Sequence, residues 1–114
     1  MISGIGIDLC SISRIERAIQ SGHFKERIFT PEEIAYCEAK GTKSAESYAS
    51  CFAAREAFVK ASGVPLASVM FGGNFSLSRS EGVPKIIFPE FEHNIFVSIT
   101  HEGDYACAVV IIER

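Results

Sequence analysis

Cysteine occurs four times in this chain, yet the spacing that would serve a metal or a redox couple is missing. Cys10, Cys37, Cys51 and Cys107 form no CxxC pair and no finger-like repeat. Each lies among apolar or helix-forming neighbours, so reduced, mostly buried thiols are expected in preference to disulfides or metal ligands. Positive charge is short as well: 11 Lys and Arg against 14 Asp and Glu leave a formal charge of −3. That removes any general electrostatic reason to bind nucleic acid or an anionic membrane, although local basic patches stay open. No apolar run reaches bilayer-spanning length, and Met1 lacks the basic flank and long apolar core of a signal peptide behind it. A cytoplasmic protein is the expectation. Low-complexity tracts, internal repeats and linkers are absent, and so is the GxxxxGK[ST] loop of P-loop phosphoryl transferases.

What is present suits one domain spanning residues 1–114. The composition is 47% hydrophobic and 22% charged, and a chain of this length buries roughly two thirds of the surface it exposes when unfolded. The opening "GIGIDL" alternates, placing Ile5, Ile7 and Leu9 on one face of a strand and Gly4, Gly6 and Asp8 on the other. But for Asp8 it reads as an interior strand. A carboxylate on a face stripped of side chains asks for a reason.

Helical signals follow. "SRIERAIQSG" spaces Ser13 and Glu16 as a capping box, sets Ile12, Ile15, Ala18 and Ile19 in register, and stops at Gly22. Its other face carries Arg14 and Arg17, either a solvated surface or a dock for an acidic partner. "TPEEIAYCEAKG" starts a second helix, with Thr30 as cap, Pro31 in the first turn and Glu33 completing the box. A third is expected from about Ala45 to Ser62, closed by Gly63. Beyond it "NFSLSR", "PKIIF", "IFVSIT" and "YACAVVIIE" read as strands, separated by "SEGV", "PEFEHN" and "HEGD". Strand, helices, then strands predicts an α+β fold with an antiparallel sheet packed against helices.

The third helix carries charge in an unexpected place. "SCFAAREAFVKASG" is apolar in nearly every direction, and such a helix is usually buried. Glu56 and Lys60, four residues apart, would make an ordinary surface pair worth about 0.2–0.5 kcal/mol. On so apolar a helix the pair would be partly desolvated, and a buried ion pair often fails to recover its desolvation cost. A metal or phosphate changes that balance. Mg²⁺ takes one or two carboxylates and fills its shell with water and substrate phosphates, so Asp8 and Glu56 together are a plausible hard-cation site, with Lys60 facing a phosphate.

These residues carry a resemblance. "GIGIDLCSISRI", "FAAREAFVKASG" and "VSITHEGDYACAVVIIER", in this order, resemble holo-acyl-carrier-protein synthase, the small bacterial class of 4′-phosphopantetheinyl transferases, over essentially the whole chain. The resemblance implies transfer of the phosphopantetheine arm of coenzyme A to a serine of an acyl carrier protein, with release of adenosine 3′,5′-bisphosphate and a requirement for Mg²⁺. It implies a homotrimer with sites at subunit interfaces, and a role in fatty acid biosynthesis. By motif, Asp8 and Glu56 would hold the metal and Lys60 would meet the pyrophosphate. Arg55, Lys60, Thr100 and His101 would lie beside coenzyme A, and Arg14 and Arg17 would meet the carrier protein.

The chemistry suits these residue types. A cation stabilises charge on a breaking pyrophosphate as a Lewis acid, and Lys60 offers a second positive charge or a proton. The serine needs a base, which is either Glu56 through a metal-bound water, the preferred reading, or His101, the residue type that switches protonation near neutral pH. Ser98 and Thr100 share a strand face and either line the pocket or stand half exposed. Three departures from the family pattern bear on coenzyme affinity. Arg55 replaces the usual lysine, Cys51 replaces a phosphate-binding arginine, and Val64 and Pro65 replace a glycine-rich loop. The alternative they raise is a binding homologue of the same fold with impaired catalysis.

Overall fold

The glycines of the first strand find their reason in the helix beneath them. Strand β1 (Ile2–Ser11) is the edge of a three-stranded antiparallel sheet, ordered β1-β5-β4, with β4 at Asn94–Glu102 and β5 at Tyr105–Glu113. The long helix α4 (Ser44–Ser62) lies across its inner face. A Cβ on Gly4 would stand 1.9 Å from the Ala61 carbonyl oxygen, and one on Gly6 would stand 2.0 Å from that of Ala57. Only hydrogen fits there. The rest of the seam is built small: Ala53, Ala54 and Ala57 of α4 meet Ala106 and Ala108 of β5, all without solvent exposure. Helix and sheet therefore approach closely, and the helix sits tightly under Asp8.

This computed structural model describes residues 1–71, 73–79 and 82–114. The chain leaves β1 directly into α1 (Ile12–Ala18), then forms α2 (Gly22–Ile28), α3 (Pro31–Glu38) and a 3₁₀ turn at Gly41–Lys43. After α4 come a short α5 (Leu66–Met70) and a separate antiparallel hairpin of β2 (Ser76–Ser78) and β3 (Lys85–Ile87). Phe58 of α4 packs against Phe75, Phe88 and Phe91 at ring-centroid separations of 5.2–5.4 Å, joining that hairpin to the core. The architecture is α+β with antiparallel sheets, as expected.

Several local expectations meet their outcome here. The Thr30 box forms: Glu33 N–H donates to Thr30 Oγ1 at 3.2 Å and Thr30 N–H to Glu33 Oε1 at 2.9 Å, with Pro31 in the first turn. Helix α4 ends at Ser62, and Gly63 at φ 75° takes the left-handed cap that favours glycine. The Ser13–Glu16 box does not form. Ser11 is the cap, accepting from Arg14 N–H at 3.2 Å, while Ser13 N–H donates to Asp104 Oδ1 at 2.9 Å. The strand runs into the helix two residues sooner than the spacing suggests, because the β4–β5 turn supplies the acceptors. Gly22 opens α2 behind the cap of Ser21 and stops nothing. The stretch expected as a loop after Gly63 contains α5. Of the "SEGV" turn, Ser80 and Glu81 lie outside the described residues.

The opposite face of the sheet overturns the reading of β1 as an interior strand. Ile5, Ile7 and Leu9 are 63%, 59% and 61% exposed. Phe96 is exposed on β4, and Val109 and Ile111 are half exposed on β5. The glycine face is the buried one. All four cysteines are free thiols, with Cys10, Cys37 and Cys51 buried and Cys107 partly so. No helix among the described residues is long and apolar enough to cross a membrane.

Candidate active site

Three elements bring charge to the free edge of β1. Asp8 follows the glycines on the inner face, beyond the point where they admit α4. Lys60 of α4 reaches it: Nζ donates to Asp8 Oδ1 at 3.2 Å and to the Ile7 carbonyl at 3.0 Å. Glu56 lies one helical turn before Lys60, but the expected helix-surface pair is not made, since Lys60 is drawn to the strand. Glu56 makes no hydrogen bond or ion pair among the described residues. Its carboxyl is raised above the ordinary value, first by burial and next by the Asp8 charge, against the opposing pull of Lys60 and Arg14. The two carboxylates are thus close enough for one to discourage ionisation of the other. Arg14, in the first turn of α1, completes the group, and its charge also acts on the buried Cys10 thiol.

Beside this group a shallow depression of about 430 Å³ is lined by Ile7, Asp8, Leu9, Lys60 and Cys107. The donor set fits a hard divalent cation. Two carboxylates repel each other, one of them lacks a partner, and a cation between them would relieve both conditions. No cluster of three or more His, Cys, Asp or Glu suited to a metal occurs among the described residues. Among the described residues no closed structural metal site is built, whereas a cation that takes most of its ligands from water and phosphate needs no more than this pair.

The remaining predicted residues are dispersed. Arg55 requires correction: it is fully buried and cannot meet a coenzyme. Its Nη1 donates to Glu33 Oε2 at 2.8 Å and to the Cys51 carbonyl at 3.1 Å, and its Nη2 bonds Glu33 Oε1 and the Phe75 carbonyl. Glu33 Oε2 also accepts Leu77 N–H at 3.0 Å. This pair belongs to the core. Sequence reasoning missed Glu33 as its partner, although the capping box marked Glu33 as fixed in place.

Thr100 and His101, grouped beside the coenzyme, lie on opposite faces of the sheet. Thr100 stands opposite Cys107 and, beyond it, Leu9 on the exposed face. His101 shares the row of Ala106 and Cys10 on the inner face, and its Nε2 lies 3.2 Å from Glu46 Oε1. Two strand spacings, about 10 Å, separate it from β1, so within one chain it does not join Asp8. Arg17 is exposed on α1 and faces Asp104 electrostatically. At the departures from the family pattern, Cys51 is buried with Arg79 Nη2 donating to its sulfur at 2.8 Å, and Pro65 caps α5.

Known proteins share this arrangement at the level of sequence and fold. The chain is 37% identical to the holo-[acyl-carrier-protein] synthase of Geobacter sulfurreducens, covering 100% of this chain and 99% of that protein. It is 36% identical to the enzyme of that name from Streptococcus thermophilus, covering 100% and 98%. Among solved structures, the holo-(acyl-carrier-protein) synthase of Bacillus anthracis in complex with CoA (3′,5′-ADP) superposes with a TM-score of 0.85 at 33% identity, covering 98% of this chain and 96% of that one. The Helicobacter pylori enzyme in complex with coenzyme A gives 0.74 at 32% identity, covering 96% and 99%. The sequence model of one family matches residues 4–110, a span that holds Asp8, Glu56, Lys60 and the whole seam beneath them. The chain belongs to the 4′-phosphopantetheinyl transferase superfamily.

Proposed function

We infer that this chain, acting as one domain, transfers the 4′-phosphopantetheine arm of coenzyme A to a serine hydroxyl of an apo-acyl carrier protein in the cytoplasm, with Mg²⁺ required and adenosine 3′,5′-bisphosphate released. The observation that carries this reading is the convergence of Asp8, Glu56 and Lys60 at the β1 edge. The serine oxygen attacks the phosphorus that bears the pantetheine arm. The bridging P–O bond breaks, and the electron pair leaves on the nucleotide phosphate. Asp8 and Glu56 would hold the cation, which supplies Lewis-acid stabilisation of the pyrophosphate. Lys60, already poised at Asp8, supplies a second positive charge to the leaving phosphate or a proton to its oxygen.

Glu56 is the better base. It stands beside Asp8 and Lys60, where the serine proton would be taken up through a water, whereas His101 lies on the far strand, engaged with Glu46. Arg14 and Arg17, exposed on one short helix beside the carboxylates, suit an acidic carrier protein. The apolar outer face of Ile5, Ile7, Leu9, Phe96 and Val109 supports self-association, since a long edge strand with exposed apolar side chains is otherwise an aggregation hazard. A homotrimer with shared sites is the assembly proposed. It would let Thr100 on that face and His101 at the sheet end reach a neighbouring chain's coenzyme.

The test is intact mass measurement of an apo-carrier protein after incubation with this chain, coenzyme A and Mg²⁺. A gain of one phosphopantetheine that disappears with Asp8→Ala and Glu56→Ala is the expected result. Carrier binding without an adduct, across several carriers, would support the impaired homologue instead.

A further inference from the structure

The turn between β4 and β5 is fastened to the start of α1. Gly103 takes φ 57°, and the next residue, Asp104, makes four contacts across about ninety positions of sequence. Its carbonyl accepts Ile12 N–H at 2.7 Å. Its carboxylate accepts Ser13 N–H at 2.9 Å, Ser13 Oγ–H at 2.8 Å and Ser11 Oγ–H at 2.9 Å. With Ser11 Oγ taking Arg14 N–H, the first three amides of the helix are satisfied, two of them by one residue of a distant hairpin.

One face of α1 is anchored to the core by Ile12, Ile15 and the C-cap residue Ile19. Its seven residues are too few for a stable helix in isolation, and Ile15 is the one residue within it that is buried. The orientation of its first turn, where Arg14 stands, depends in addition on how that turn is tethered. That turn carries Arg14, whose charge reaches Glu56. Arg17, one turn further, is the basic group that acts on Asp104 itself.

We propose that Asp104 is a positioning residue for carrier-protein docking, holding α1 so that Arg14 and Arg17 present a fixed basic pair beside the Asp8–Glu56 site. The proposal rests on the reading of Arg14 as a carrier contact. Asp104 is itself exposed, so its bonds add little to the core, and their consequence lies in the orientation of the helix. Coenzyme binding, which depends on other residues, is left untouched.

Steady-state kinetics with the carrier protein and coenzyme A varied separately tests this. Asp104→Ala is expected to raise KM for the carrier about tenfold, the equivalent of one lost helix cap, with kcat and KM for coenzyme A unchanged. Asp104→Asn, which keeps an acceptor for Ser13 N–H and can donate to a serine oxygen, is expected to recover most of the loss. Combined with Arg14→Ala and Arg17→Ala together, Asp104→Ala should add nothing to the carrier KM of that double variant, because all three act through one docking surface. An unchanged carrier KM in Asp104→Ala overturns the proposal. So does a parallel change in both KM values and kcat, with a lowered melting temperature and no recovery in Asp104→Asn. Should Asp104→Ala fail to fold, Ser13→Ala, which deletes the hydroxyl contacts to Asp104 and Ser11 and keeps the Ser13 N–H bond to Asp104, must show the same carrier-only change at smaller size. If Arg14→Ala leaves the carrier KM of an active enzyme unaltered, the docking reading itself has failed and the proposal falls with it. An inactive wild-type chain would locate the failure further back, in the transfer reaction.

Discussion

Two glutamates show how one residue type takes opposite roles by environment. Glu56 is raised, so between the ordinary glutamate range and its own higher value the folded chain holds a proton that the unfolded chain has released. Stability must fall as pH rises through that window and stay reduced above it. Glu56→Gln is therefore predicted to be more stable than wild type at pH 7 without divalent cation, the difference vanishing below about pH 4.3, where glutamate is protonated in both states. Urea unfolding at a series of pH values measures this. Added Mg²⁺ should raise the melting temperature of wild type and leave Glu56→Gln unmoved. Glu33 takes a structural role instead, with its ionic partner Arg55 fully buried beside it. Glu33→Ala strands Arg55 in the core and should cost about 3–5 kcal/mol, read by the same unfolding experiment. The sequence made Asp8, Glu56 and Lys60 legible, since charge on an apolar helix and on a glycine-lined strand is conspicuous. It concealed the fate of Arg55, because the partner that buries it stands 22 residues away on another helix.

Elements were legible in proportion to their length and to how locally they are capped. Helix α4 was expected to within one residue at its start, and its left-handed glycine cap was expected outright. The Thr30 box of α3 encloses its own signal within four residues. Helices α2 and α5, of seven and five residues, are too short to show a period, and α1 takes its cap partner from the far end of the chain. The reading of β1 as an interior strand fails for a related reason: alternation defines two faces, and only the packing of α4 decides that one of them is inside and the other exposed. That packing makes a specific prediction. Gly6→Ala drives a methyl group into the Ala57 carbonyl, where backbone on both sides cannot yield. It should destabilise the chain by about 3 kcal/mol or more, measured by chemical denaturation, whereas Gly22→Ala, with open space around it, should be tolerated.

The molecule as a whole is a sheet with a dry side and an unfinished side. Ile7→Lys would place a charge on the exposed apolar face, on its edge strand, without touching the core, since Ile7 points away from α4. Sedimentation is expected to show wild type at three times the chain mass and Ile7→Lys as a folded single chain. If coenzyme sites are shared, transfer should fall with the assembly. The buried ion pair has a consequence of its own for the candidate site at the β1 edge. Arg55 and Glu56 are consecutive, so they project about 100° apart around the helix. With the first clamped by Glu33, α4 cannot roll about its long axis, and the azimuth of the second is set at the same time. The hidden pair is the spline on a shaft, and the bearing of the proposed catalytic carboxylate follows from how that spline is seated.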